Sequence, residues 1–232
     1  MRRAVLPAYK RLLAWRARRP VDLGDLRRLT PIDNNFGFGR GTPIDRVYIS
    51  EFMARHREDI HGRVLEIGSL RYTSEFGAGV TAGEILTADE DHESATYMAD
   101  LADAPGVPSD TYDCAIVTQT LQYVYDLRAA VATLHRLLVS GGVLLVTVPA
   151  ITRVAPAEDE AFGEWWHFTS RSLRRLAEEA FGEPNVEVTA YGNVLSAAGF
   201  LYGLAASDLK EAELQAVDPG FEVIVGLRAV KR

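Results

Sequence analysis

The sequence predicts an α/β protein built on a mostly parallel sheet, and three observations carry that reading. Beyond residue 60, short apolar runs of strand length alternate with stretches of helical spacing. Two of the runs, 114–118 and 143–148, are apolar nearly throughout, as central strands covered on both faces should be. Acidic or polar residues stand just after several runs, where open parallel sheets bind ligands.

Taken in order, Val5, Tyr9, Leu12 and Leu13 fall at i, i+4, i+7 and i+8, so residues 4–18 read as an amphipathic helix with a basic face, ended by Pro20. Such an arm either docks as a solvated helix or seeks a membrane surface or anionic partner. Residues 30–43, rich in Gly, Pro and Asn, read as a loop. A helix over 45–57 follows, with Ile44, Val47, Tyr48, Phe52 and Met53 to one side. Strands are expected at 64–67, 84–88, 96–99, 114–118, 143–148, 186–190 and 222–230. Leu127, Val131, Leu134 and Leu138 space one face of a helix with Asp126 as N-cap, stopped by Gly141-Gly142. Thr169 would cap a helix over 170–181, with Phe168 and Leu173 as its hydrophobic staple. No repeat or linker divides the chain. Residues 1–58 read as a helical arm and cap packed on the core, and 59–232 as the α/β domain, in one structural unit.

The formal charge of −7 argues against general nucleic-acid binding. It is unevenly spread, for residues 1–28 hold nine Arg/Lys against Asp22 and Asp25. Cys114 stands alone, and no Cys/His cluster has zinc-site spacing, so neither an internal disulfide nor a metal is expected. The most apolar stretch, 194–206, is broken by Ser196, Gly199 and Gly203 and falls short of the ~20 residues of a membrane helix. The N-terminus has no signal-peptide apolar run. These features imply a cytoplasmic protein without an integral membrane segment, and leave monomer and homodimer both open.

The strand-end residues carry the chemistry. Val64-Leu65-Glu66-Ile67-Gly68-Ser69 is an apolar strand ending in an acid and then Gly, which lets the backbone approach a ligand closely. Asp89-Glu90 follows the second strand, suited to taking both hydroxyls of a ribose. Asp100-Leu101 follows the third and Thr118-Gln119 the fourth. In this order VLEIGS, LTADE, MADL, DCAIVTQTLQYV and LLVSGGVLLVTVP resemble the successive motifs of class I S-adenosylmethionine-dependent methyltransferases of the type 11 kind. The resemblance covers about 60–150, extends through WWHFTSRSLRRL, and includes RGTPIDRVYI ahead of the core. It implies a Rossmann-like, seven-stranded sheet with an antiparallel last strand, and S-adenosyl-L-methionine as cofactor. Carried over by motif, Glu66, Gly68 and Ser69 would line the methionine end and Asp89 would hold the ribose. Asp100 and Leu101 would flank the adenine, and Thr118 and Gln119 would face the cofactor. The chain departs from the family after Gly68, where Ser69-Leu70-Arg71-Tyr72 replaces further glycines and leaves room for only a short first helix. The G-x-G-x-x-G of a nicotinamide dehydrogenase is absent.

An acceptor must be aligned within roughly 3–3.5 Å of the methyl carbon with water excluded. The segment 150–167, read as a long loop after the fifth strand and ending in Trp165-Trp166-His167, is suited to that task. His167 is the candidate base or acceptor-orienting group; the alternative is an ordinary histidine near a helix start. Arg46, Tyr48, Trp165, Trp166 and Asn193 are the candidate acceptor contacts. Family habit points to O-methylation of a natural-product, sugar or acid acceptor. The competing reading is a non-catalytic S-adenosylmethionine-binding partner or regulatory protein of the same fold.

Overall fold

The computed structural model describes residues 22–232, so the helix expected over 4–18 and its stop at Pro20 lie outside the described residues. The chain divides into two compact units, Met1–Pro31 and Ile32–Arg232. The described part of the first holds one 3-10 turn, Gly24–Leu26, whose Gly24 N–H donates to the Asp22 carboxylate.

The second unit runs α1 (Ile44–Arg55), β1 (Gly62–Ile67), α2 (Arg71–Phe76), β2 (Val80–Thr87), β3 (Tyr97–Met98), β4 (Tyr112–Thr118), α3 (Leu127–Leu137), β5 (Leu138–Pro149), α4 (Pro156–Phe162), α5 (Ser170–Phe181), β6 (Val186–Tyr191), α6 (Val194–Leu201), α7 (Glu211–Gln215) and β7 (Ile224–Val230). The strands form one sheet in the order β3-β2-β1-β4-β5-β7-β6. β7 is antiparallel to β5 and β6, and the other pairs are parallel. The seven-stranded, mostly parallel sheet with an antiparallel last strand therefore matches the expectation.

Alternation along the central strands builds two cores. Ala115 and Val117 of β4, with Leu144, Val146 and Val148 of β5, face α3 and α5. Cys114, Ile116, Val143 and Leu145 face α1 and α6. Both faces are thus apolar, and each buried Leu, Ile or Val contributes about 1.5–3 kcal/mol. Asp126 caps α3 by accepting from Ala129 N–H at 3.0 Å. Thr169 caps α5 in a capping box with Ser172, while Phe168 and Leu173 are both buried.

Three expectations are corrected. Gly141-Gly142 does not end α3, for the helix stops at Leu137 and Leu138 already opens β5. The register jumps from Tyr112↔Leu138 to Cys114↔Val143, so both glycines sit in a bulge of the strand, where Gly141 takes φ +86°. Lys231 performs the capping instead: its ammonium donates to Leu138 O at 2.7 Å and pairs with Asp110 at 2.7 Å. The segment 150–167 is not a bare loop but contains α4. β2 also begins earlier than residue 84, because its first residues pair with Gly62 and Arg63 of β1. Among the described residues, no helix is long and apolar enough to cross a membrane.

Candidate functional site

Strand order reverses between β1 and β4, so the ligand-binding crevice of such a sheet lies beyond their carboxyl ends. β1, β2 and β3 finish side by side in register, with Ile67 beside Leu86 and Thr87 beside Met98. That topology brings Glu66, Asp89 and Asp100 to one edge of the sheet.

Glu66 is buried, and its two carboxylate oxygens accept from Tyr72 N–H at 3.0 Å and Thr73 N–H at 2.8 Å, in the first turn of α2. Burial raises its pKa, against those two hydrogen bonds. The carboxylate thereby ties the turn 68–70 to the sheet. Gly68 makes that turn at φ +81°, and no other protein atom lies within 4 Å of where a Cβ would stand. Ser69 is exposed beside it.

A cleft of about 360 Å³ opens beyond β1–β3. Ile67, Leu86, Ala99 and Leu101 give it apolar walls, with Thr87, Asp100 and Thr120 as polar points. Tyr123 and Phe162 close the other side, their rings 6.2 Å apart. Asp100 accepts from Ala102 N–H at 2.8 Å through one oxygen. Asp89 is exposed and not part of this wall; its carboxylate accepts from Asp91 N–H at 3.0 Å. Thr118 ends β4, and its carbonyl accepts from the Thr120 hydroxyl at 3.0 Å. Gln119 then takes a left-handed φ of +48°, unusual for a residue with a side chain, and donates its N–H to Thr147 O at 2.8 Å.

A second, smaller cavity of about 120 Å³ lies against the same strand ends, and Tyr123 borders both. Asp45 and Arg46 enter it from the first turn of α1, and Gln119 and Gln122 from beyond β4. Phe36, Phe38 and Phe200 supply aromatic walls, and Glu158 and Glu164 line it with Asn35, Pro149 and Thr152. Asp45 accepts from Arg46 N–H at 2.8 Å and lies 3.7 Å from the Arg46 Nε; burial raises its pKa. Three polar atoms here are buried without a hydrogen-bond partner: Arg46 Nε, Gln119 Nε2 and Gln122 Oε1. The Glu164 side chain is only 4% exposed. One of its oxygens accepts from Ala155 N–H at 2.8 Å and the other meets His167 Nε2 at 3.0 Å.

Of the acceptor-side residues expected from sequence, only Arg46 reaches this cavity. His167 stands behind Glu164, facing outer surface grooves with Phe168. Trp165 and Trp166 are exposed against Tyr125 and line neither the cleft nor the cavity, but Trp165 N–H donates to Gln122 O at 2.8 Å and so braces that segment. Tyr48 is buried, with its ring stacked on Tyr191 and its hydroxyl donating to Leu214 O at 2.9 Å. Asn193 caps α6: its oxygen accepts from Leu195 and Ser196 N–H, and its amide donates to Glu213 O and Ala216 O. Every hydrogen-bonding arm of that side chain is occupied within the fold. Sequence reading anticipates Asp45 beside Arg46 as closing the site from the N-terminal side, but assigns no role to Glu164 or Gln122. The signals were an acid three residues before His167 and polar residues closing apolar strand ends.

Comparisons with known proteins agree on the architecture. A family model described as a methyltransferase domain matches residues 36–182. A solved S-adenosylmethionine-dependent methyltransferase of Thermotoga maritima, described as a possible histamine N-methyltransferase, superposes with a TM-score of 0.53 at 18% identity, covering 82% of this chain and 91% of that one. A second, from Mesorhizobium loti, gives 0.52 at 16% identity over 77% and 95%. The [4+2]-cyclase SpnF gives 0.54 at 16% identity over 83% and 84%. These likenesses are of fold. A curated protein, probable polyketide synthase 5 of Dictyostelium discoideum, is 30% identical over 107 residues, which are 43% of this chain and 4% of that much longer protein.

Proposed function

The chain belongs to the methyltransferase-domain family, and from that premise we propose that it moves a methyl group from S-adenosylmethionine to a small-molecule acceptor. The observation that supports this reading most is the pair of cavities meeting at Tyr123 beyond the reversal point of the sheet. The larger suits an adenosyl group: its walls are apolar and narrow, with a carboxylate at Asp100 to accept from an exocyclic amine. On this reading Asp100 and Leu101 hold the adenine, Asp89 at the rim takes the ribose, and Gly68, Ser69, Thr118 and Gln119 border the methionine end. Glu66 supports that end indirectly, by fixing the turn that carries Gly68. When bound, S-adenosylmethionine supplies a methyl group activated on a sulfonium. The chain's own residues then exclude water and align the acceptor. His167 acts, in this proposal, through Glu164 rather than on the acceptor itself.

An acceptor oxygen and a natural-product setting draw support only from family habit and from the polyketide synthase stretch. The alternative reading, a cofactor-binding protein without transfer, is favoured by one feature: the single glycine of the shortened turn after β1. Calorimetry with S-adenosylmethionine and S-adenosylhomocysteine, followed by product analysis on an acceptor panel, tests both. Micromolar binding with turnover is the expected result; binding without any methylated product would favour the alternative, and no binding would end the proposal.

A further inference from the structure

Two acceptor groups in the small cavity stand out: a shielded carboxylate whose charge meets only a histidine, and an amide oxygen with no donor. Glu164 is almost wholly shielded, yet among the described residues no Lys or Arg forms an ion pair with it. Its partners are a backbone N–H and a histidine ring. Arg46 does not answer this charge, because Asp45 lies beside it and offsets it locally. The lining therefore holds three carboxylates, Asp45, Glu158 and Glu164, against one guanidinium. A shielded carboxylate without a cation is costly, and a positively polarised ligand beside it removes that cost. Independently, Gln122 is only 3% exposed, and its Oε1 has no donor. The carboxylate and this amide oxygen both call for N–H groups. Arg153 already covers the ring of Phe36 and Arg46 lies over that of Phe38, so the aromatic faces left for a ligand are those of Phe200 and Tyr123. The cavity of about 120 Å³ is somewhat smaller than the ~150 Å³ that holds benzene, so it suits a small ligand.

We propose that the acceptor is a small amine whose N–H groups are taken by Glu164 and Gln122, so that the methyl group goes to nitrogen. The free donors Arg46 Nε and Gln119 Nε2 fit an oxygen substituent on the same molecule. This rests on the methyltransferase reading above and narrows it to one acceptor class. The amine enters as its free base, having left its extra proton to water. Its lone pair forms the N–C bond while the C–S bond breaks, with the bonding electrons remaining on sulfur. The products are an N-methylammonium and S-adenosylhomocysteine. Positive charge thus moves from sulfur onto the nitrogen beside Glu164, a carboxylate placed to stabilise it before the reaction begins.

The test uses the full chain saturated with S-adenosylhomocysteine and matched probes: 2-aminophenol, benzylamine and ethanolamine against catechol, benzyl alcohol and ethylene glycol. Calorimetry should show at least one amine binding tenfold or more tighter than its oxygen counterpart. Product analysis with S-adenosylmethionine should find that amine N-methylated. Glu164→Gln keeps an oxygen for Ala155 N–H while removing the charge, and should weaken amine binding about 10- to 100-fold with S-adenosylhomocysteine affinity unchanged. Should that variant melt too early to measure, Gln122→Met should weaken amine binding about tenfold. Oxygen probes that bind or react as well as the amines, amines that do not bind, or variants that leave amine binding unchanged would each overturn this inference alone. Failure to bind S-adenosylhomocysteine would overturn the methyltransferase reading itself.

Discussion

Replacing Gly226 with alanine would press a methyl group into the ring of Phe52, 2.7 Å from Cε2 and 3.0 Å from Cγ, with Cδ2 nearer still. Comfortable carbon contacts lie at about 3.5–4.0 Å, so a gap of roughly 1 Å must be opened. Neither side can yield cheaply. Gly226 sits mid-strand in β7, opposite Thr147 of β5 and Thr189 of β6, and Phe52 is 1% exposed on α1. Overpacking of this kind costs about 1–3 kcal/mol, offset by about 0.5–1 kcal/mol for replacing glycine within a strand. A net loss of about 1 kcal/mol should lower the melting temperature by about 2–4 °C, read by calorimetry. Phe52→Ala alone should cost about 3–5 kcal/mol, and in that background Gly226→Ala should become neutral or stabilising. The coupling in the double-mutant cycle should then be about 2 kcal/mol. Additivity within about 0.5 kcal/mol would refute the steric argument. Because α1 delivers Asp45 and Arg46 to the small cavity from its first turn, displacing the helix should also reduce acceptor turnover more than cofactor affinity.

Three further outcomes are expected. Thr169→Ala removes the N-cap of α5 and should cost about 1 kcal/mol in urea unfolding; no loss would show that the capping box contributes nothing. Burial raises the Asp45 pKa, so the folded state holds that proton more tightly than the unfolded chain does. Stability from this group is present in full below the ordinary carboxylate range, about 4, and is lost as pH rises through the folded value. Asp45→Asn removes the titration, so the stability of the variant relative to the parent should improve with rising pH through that window, and a flat difference in denaturation across the series would contradict the burial argument. Asp100→Ala should weaken S-adenosylhomocysteine binding about tenfold, or about 1.4 kcal/mol, by calorimetry; unchanged affinity would remove Asp100 from the adenine site.

Much of the architecture was legible in the residues themselves. The nearly unbroken apolar runs 114–118 and 143–148 announce a sheet with both faces covered, and the caps Asp126 and Thr169 mark helix starts by side-chain chemistry that acts over three residues. Such signals are local, so they survive without coordinates. Gly141-Gly142 shows the limit: as a local cue the pair reads as a helix stop, yet the carbonyls of the helix end are answered by Lys231, almost a hundred residues further on.

The small cavity lies on the far side of that limit. Tyr48, Trp165, Trp166 and Asn193 are of types that line acceptor sites, but the fold turns Tyr48 and Asn193 into the protein and leaves the two tryptophans outside as braces. Glu164, Gln122 and Asp45 come from three separate segments, and nothing in their spacing joins them. The sequence alone determined the fold class, the order of elements and the edge of the sheet at which a ligand can sit, because these follow from short-range periodicity and capping. Which side chains line the small cavity was decided only in three dimensions, where burial left some polar atoms satisfied by the fold and others, such as Gln122 Oε1, without a partner.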